Sequence, residues 1–215
     1  ADLYLNKELE KGHEVMAEGA QGTLLDMDFG SYPFVTSSNT LAANACLGLG
    51  VSPRYVRDIY GVFKAYMTRV GSGPFPTELT GREGEELQTS GGEFGATTGR
   101  VRRCGWLEIP AVQYAVQITG VNMLIVTKAD VLSQVNEPKL CTHFVDENNT
   151  PLNYPAVLSS SCAKPTFKPL NSKLPHSKLN TAEWNDFKKE LEEFVPVPIH
   201  MISIGPERAD FIEQD

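Results

Sequence analysis

Nine residues near the middle of the chain, Gly95-Ala-Thr-Thr-Gly-Arg-Val-Arg-Arg103, gather two hydroxyls and three guanidiniums around glycines that let backbone amides approach a ligand. Arginine suits an anion here, because its planar fork meets a carboxylate or phosphate with two parallel hydrogen bonds. In an extended segment Arg100 and Arg102 point to one side and Arg103 to the other. The chemistry on offer is a dicarboxylate or phosphate held by Thr97, Thr98, Arg100 and Arg102. A solvated basic loop in an acidic protein satisfies the same residues.

A second feature ends the most apolar run of the chain: Thr127-Lys-Ala-Asp130. A carboxylate at that place can accept hydrogen bonds from guanine N1–H and its 2-amino group, while adenine offers no such donor pair, and the lysine stem can lie along the base. The four residues resemble the N/T-K-x-D motif of GTP-binding proteins, a short pattern with little force alone. A third is Glu18-Gly-Ala-Gln-Gly-Thr23, which puts the amide of Gln21 between glycines after an apolar stretch. A tight turn explains its glycines but not its glutamine. Asp26 and Asp28 suggest an acid pair or metal ligands, and water-facing carboxylates are the plainer reading. Phe29, Tyr32 and Phe34 read as packing rather than as a platform for a base.

The elements that must carry these groups follow from patterning. Asp2 to Lys11 reads as a short amphipathic helix closed by Gly12. Glu14 to Glu18 reads as a buried strand, which would put Gln21 at a strand exit, where α/β sheets collect ligands. Thr36 to Asn39 offers helix caps for an Ala/Leu stretch running to Gly48. Tyr55 to Val70 reads as a strand, the run from Gly71 to Pro76 as a loop, and Glu83 to Gln88 as a short helix. Pro110 to Ile118 is a helix with proline in its first turn, and Val121 to Thr127 is the clearest strand. Lys139 to Val145 and Pro151 to Val157 form a hairpin around Asp146-Glu-Asn-Asn149, and Ser159 to Asn180 reads as an extended surface segment. A helix from Thr181 to Phe194 and a last strand, Ile199 to Ser203, complete the chain. The fold expected is α/β, a mainly parallel sheet flanked by helices, with a β-hairpin excursion near 139–157.

Composition narrows the classes. At 215 residues, folding can bury about 70 % of the extended-chain surface, enough for a real core. With 41 % hydrophobic and 21 % charged residues the chain reads as an ordinary soluble protein. A net charge of −8 speaks against a general nucleic-acid binder. Cys46, Cys104, Cys141 and Cys162 lie far apart without a C-x-x-C pair, so reduced cytosolic thiols are expected rather than disulfides or a metal site. The histidines His13, His143, His176 and His200 are equally scattered. No apolar run is long enough for a membrane span.

Taken together these stretches resemble the adenylosuccinate synthetase family, the ligases that join aspartate to IMP at the expense of GTP. The resemblance rests on the run from Glu18 to Gly30, Tyr32-Pro-Phe-Val-Thr-Ser-Ser-Asn39, Lys64 to Gly71, Gly73 to Glu78, Glu93 to Arg100, Arg102-Arg-Cys-Gly-Trp106 and Thr127-Lys-Ala-Asp130, in family order and spacing. It is close from Leu5 to Leu132 and weaker beyond. It implies that Gln21, Thr36 and Arg100 contact IMP. Val70, Ala96, Thr97, Thr98, Gly99, Arg100 and Arg102 would receive aspartate. Arg102, Lys128, Asp130, Ser203, Ile204 and Gly205 would hold GTP.

Departures are as informative. Leu41-Ala-Ala-Asn44 replaces a more glycine-rich family stretch, Ala129 stands where leucine is common, and Cys162 to Pro175 has no recognisable counterpart. The family's Gly-Asp-Glu-Gly-Lys-Gly-Lys phosphate loop, with its catalytic base and a magnesium ligand, is not in this sequence; nor are its general-acid histidine and the arginine that reaches the neighbouring subunit. The resemblance therefore implies the C-terminal portion of a single-domain cytoplasmic, homodimeric ligase. It implies Mg2+ held by the other portion, GTP as co-substrate, no catalytic or metal-ligating residue here, and no activity from this chain alone. The rivals are a shortened, non-catalytic purine nucleotide-binding module and a GTPase relative, the latter disfavoured because no G-x-x-x-x-G-K-[ST] occurs.

Overall fold

The structure, a computed structural model, describes residues 1–95, 99–171, 174 and 181–213. Its main sheet is organised around the apolar run that sequence marks most clearly. Strand β5 (Met123–Thr127) buries Leu124 and Val126 on one side by simple alternation. It pairs in parallel with β1 (Tyr60–Lys64), Val62 beside Ile125 and Lys64 beside Thr127. On its other side it pairs in parallel with β9 (Ile199–Ser203), Val126 beside Ile202. A fourth strand, β10 (Phe211–Glu213), adds antiparallel to β9. Three strands therefore end at one carboxyl edge.

Helices cover this sheet because their apolar residues share a face. In α7 (Thr181–Glu192), Trp184, Phe187 and Leu191 recur at helical spacing and all are buried. Each contributes about 2–3 kcal/mol of hydrophobic stabilisation. Helix α4 (Ile109–Thr119) starts with Pro110 in its first turn and stops at Gly120 in the left-handed conformation, as its sequence dictates. Helices α1 (Asp2–Glu10), α2 (Ala43–Leu49) and α3 (Arg82–Ser90) fall on expected stretches, α2 beginning several residues after its anticipated caps. A single-turn helix, α5 (Ala129–Leu132), follows β5 directly.

Strands β2 (Met67–Arg69) and β3 (Arg103–Gly105) form a separate antiparallel pair. A second sheet is built on β6 (Lys139–Val145), which takes β4 (Leu107–Glu108) in parallel and β7 (Pro151–Leu152) and β8 (Lys164–Pro169) antiparallel. The hairpin turn is fixed by Asp146, whose Oδ1 accepts the backbone N–H groups of Asn148 and Thr150, both at 2.8 Å.

Four expectations change. Glu14 to Glu18 is not a buried strand: the stretch is exposed, Met16 almost entirely, and no described strand lies alongside to supply a ladder. Tyr55 to Val70 is two strands rather than one, broken where Ala65 and Tyr66 turn into the core, with Val62 left facing out. Pro151 to Val157 stays paired only as far as Leu152, after which the chain turns into a short helix, α6 (Ala156–Ser159), that buries Val157. Of the segment expected to be extended surface, residues 164–169 are a paired edge strand, a position that tolerates Pro165 and Pro169, while 172–173 and 175–180 lie outside the described residues. Among the described residues no helix is long and apolar enough to cross a membrane.

Candidate functional site

At the shared carboxyl edge β1 leads into Ala65, whose N–H bonds the Thr127 carbonyl at 2.9 Å, β5 leads into Thr127-Lys-Ala-Asp130, and β9 leads into Ser203-Ile-Gly205. Open α/β sheets bind ligands at such an edge. Lys128 adopts a left-handed backbone with φ of 57°, rare for a residue with a Cβ and characteristic of sites where strain is held in place. Its conformation ends the strand, and Asp130 follows half-buried in the first turn of α5. Ser203 Oγ donates to the Gly205 carbonyl at 3.1 Å, and Ile204 is buried with its N–H on the Asp210 carbonyl.

The Thr/Arg run meets this edge. Its base is closed like a hairpin: Arg102 N–H bonds the Glu93 carbonyl at 2.9 Å, Phe94 bridges Val101, and Gly95 N–H bonds the Arg100 carbonyl at 2.8 Å. Gly99 has φ of 63° and donates its N–H to the Gly95 carbonyl at 2.8 Å. Ala96, Thr97 and Thr98 lie outside the described residues. Arg100 is exposed. The side-alternation expected of the arginines holds for the last two: Arg102 turns to Glu93 while Arg103 turns to Glu78 and to the Gly73 carbonyl at 3.0 Å.

The organising group is one that sequence reading did not single out. Glu93 is fully buried and accepts from Lys64 Nζ with both oxygens at 2.8 Å, from Tyr66 Oη at 2.5 Å and from Arg102 Nη1 at 2.8 Å. Lys128 Nζ stands 3.6 Å from the same carboxylate and donates to the Gly91 carbonyl. Burial pushes the Glu93 carboxyl up, but the bonds from Lys64, Tyr66 and Arg102 outweigh it and hold it at about 2. Burial also lowers Lys64 and, more strongly, raises Tyr66, so the phenol stays a donor. Gly91 has no room for a side chain, since a Cβ would overlap the Tyr66 hydroxyl. The available signal was a lone acid immediately after Gly91-Gly92 and at the root of a basic loop; its burial was not readable.

A second constellation carries Gln21 and Thr36. Asp26 is buried rather than solvated, which corrects the plainer reading of the Asp26–Asp28 pair. It accepts the backbone N–H groups of Thr40 at 2.6 Å, Asp28 at 2.9 Å and Phe29 at 3.1 Å. Burial pushes its carboxyl up and those N–H groups more than offset this, leaving it below the usual carboxylate range. The closed loop sets Thr36, whose N–H bonds the Leu25 carbonyl at 2.8 Å. Thr40 Oγ1 tethers the Gly22 carbonyl at 2.8 Å, beside exposed Gln21 with φ of 62°. Phe29, Tyr32 and Phe34 are exposed, not packed as expected.

Arg69 links the two constellations. It precedes exposed Val70, and its Nη2 donates to Ser31 Oγ at 2.8 Å and to the Phe34 carbonyl at 3.1 Å, while β2 pairs with β3 just after Arg102. The structure thus brings Arg102, Lys128, Asp130 and Ser203 to one sheet edge. Gln21 and Thr36 sit on a separate loop joined through Arg69. Among the described residues no three His, Cys, Asp or Glu side chains converge as for a metal ion.

The sequence profile described as adenylosuccinate synthetase matches residues 1–212. The chain belongs to the adenylosuccinate synthetase family. It is 46 % identical over 218 residues to the adenylosuccinate synthetase of Christiangramia forsetii, covering 99 % of this chain and 52 % of that protein. With the adenylosuccinate synthetase of Parabacteroides distasonis it shares 47 % over 217 residues, 99 % of this chain and 51 % of the relative. The fully ligated adenylosuccinate synthetase from Plasmodium falciparum superposes with a TM-score of 0.92 at 34 % identity, covering 99 % of this chain and 53 % of that one. The chain spans about half the length of the adenylosuccinate synthetases it matches. The α/β fold and the family expected from the motifs are both met.

Proposed function

We propose that this chain is the C-terminal portion of a single-domain, cytoplasmic, homodimeric ligase that joins L-aspartate to IMP with GTP, giving adenylosuccinate. The observation that carries the reading is the meeting of the Arg102 loop and Lys128 on Glu93 at the sheet's carboxyl edge, 2.8 and 3.6 Å from that carboxylate. Val70, Gly99, Arg100 and Arg102, with Ala96, Thr97 and Thr98, receive aspartate. Gln21 and Thr36, with Arg100, hold IMP. Lys128, Asp130, Ser203, Ile204 and Gly205, with Arg102, hold GTP.

The division of labour follows from chemistry. The 6-oxo group of IMP leaves only after phosphorylation, as phosphate displaced by the aspartate amine, so the phosphoryl donor must be held against O6 and the amine against C6. This chain's residues do the holding: Asp130 accepts the guanine N–H groups, Arg102 clamps carboxylate, and the Asp26 loop sets Thr36 toward the IMP phosphate. Magnesium offsets charge on the transferring phosphate when bound. The described residues offer it no ligand set, and its ligands are assigned, with the phosphate loop and catalytic base, to the rest of the protein. The 215-residue chain by itself is expected to be inactive.

The test is to express the protein at the full length of its relatives and assay product from IMP, L-aspartate and GTP with Mg2+. Joining that requires all three supports the reading. A full-length protein that binds guanine nucleotide yet forms no product overturns it in favour of a non-catalytic nucleotide-binding module, the reading that the half-length match to relatives otherwise leaves standing.

A further inference from the structure

Glu93 does not reach solvent, so it is not placed to touch a ligand, yet donors from three parts of the chain end on it. Lys64 and Tyr66 come from the end of β1 and the turn after it, Arg102 from the Thr/Arg loop, and Lys128 from the strand end that carries Asp130. The loop given to aspartate and the lysine given to guanine meet at this carboxylate and at the Gly91 backbone beside it.

We propose that Glu93 is a positioning residue that couples the aspartate site to the guanine site; the inference rests on the proposed function. Three cations surround one carboxylate, so the cluster keeps a positive excess toward the cleft while each cation is held in one place. Arg102 gives Glu93 a single nitrogen, Nη1, which leaves the rest of its fork for an anion. Lys64 is the counter-charge that keeps the buried carboxylate ionised without either ligand-facing cation having to do so alone. Without Glu93 the three cations repel one another, and Arg102 and Lys128 must be ordered by their ligands at the moment of binding. Ordering such side chains weakens binding by about fivefold for each ligand.

The test uses the full-length protein and its three KM values. Glu93→Gln, which keeps shape and removes charge, should raise KM for aspartate and for GTP together by about fivefold while KM for IMP stays within about twofold. The loop that carries Gln21 and Thr36 is closed on its own backbone by Asp26, so a merely structural role for Glu93 would move all three values or none. Adding Arg102→Ala to Glu93→Gln should raise aspartate KM no further than Arg102→Ala alone, because the two act through one contact. Should Glu93→Gln fail to fold, Tyr66→Phe removes one donor to the same carboxylate and should shift the same two values by about twofold. An active wild type whose Glu93→Gln variant, or Tyr66→Phe in its place, keeps wild-type aspartate and GTP KM overturns this inference alone, as do additive effects with Arg102→Ala or an equal shift in IMP KM. A wild type that joins nothing overturns the functional reading and this inference with it.

Discussion

Arg102 and Lys128, which lie on different elements, converge on one buried carboxylate: Arg102 Nη1 is 2.8 Å and Lys128 Nζ 3.6 Å from Glu93. The Thr/Arg loop is thereby fixed against the strand end that carries Asp130. Under the proposed function, base selection and anion affinity share this foundation, and each can be perturbed separately.

Base selection should sit on Asp130. Its two oxygens can accept the N1–H and 2-amino groups of guanine, and Asp130→Asn replaces one acceptor with a donor. In the full-length protein this should raise the KM for GTP by about 10- to 100-fold. It should also let a xanthine nucleotide, which presents an acceptor at that position, compete better. Competition assays with the two triphosphates check it; an unaltered preference for GTP would remove Asp130 from the guanine site.

The IMP loop should depend on Asp26, although that residue is not assigned to touch IMP. Asp26→Ala leaves the backbone N–H groups of Asp28, Phe29 and Thr40 without their acceptor. We expect a loss of about 2–3 kcal/mol in unfolding free energy and a rise of about tenfold in IMP KM as Thr36 loses its support. Denaturant titration and steady-state kinetics read the two effects. Wild-type stability would mean the loop is held by something else.

The pH dependence of stability should be shaped by two glutamates of opposite sign. Glu93 is held at about 2 when folded, so its contribution is complete above the unfolded carboxylate value, about 4.3, and is lost as pH falls toward 2. Glu108 is buried against Thr77 Oγ1 at 2.8 Å and Tyr154, and burial raises its carboxyl despite those donors. Its contribution is therefore complete below the unfolded value and is lost as pH rises through the folded one. Glu108→Gln keeps an acceptor for Thr77 without a titrating group, so the variant should gain on wild type as pH rises from about 4 to about 8. Unfolding midpoints across that range test this, and a constant difference between the two proteins would contradict it.

Much of this architecture was legible because local chemistry and tertiary demand agree. Val121 to Thr127 is apolar, β-branched and bounded by Gly120, and it forms the central strand; Asp146 marks the hairpin turn by bonding two backbone N–H groups. Glu14 to Glu18 misled because a short apolar run says nothing about whether a partner strand stands beside it. The edge strand at 164–169 was hidden by its prolines, which edges accept and central strands do not. At the site, residue types suited to binding anions and bases, such as Arg102 and Asp130, announce themselves, whereas Glu93 and Asp26 act by being buried, and a carboxylate's burial is set by residues distant in sequence. Lys64, Tyr66 and Arg69 were missed for the same reason: their partners are 27 to 38 positions away.

The most direct measurement is the aspartate KM of the full-length Arg102→Ala protein. Losing a charged clamp on a carboxylate should raise it by about 100-fold, on the order of 2.7 kcal/mol, with GTP KM changed far less. Aspartate kinetics equal to wild type would take Arg102 out of the anion site and leave the Glu93 cluster as scaffold only.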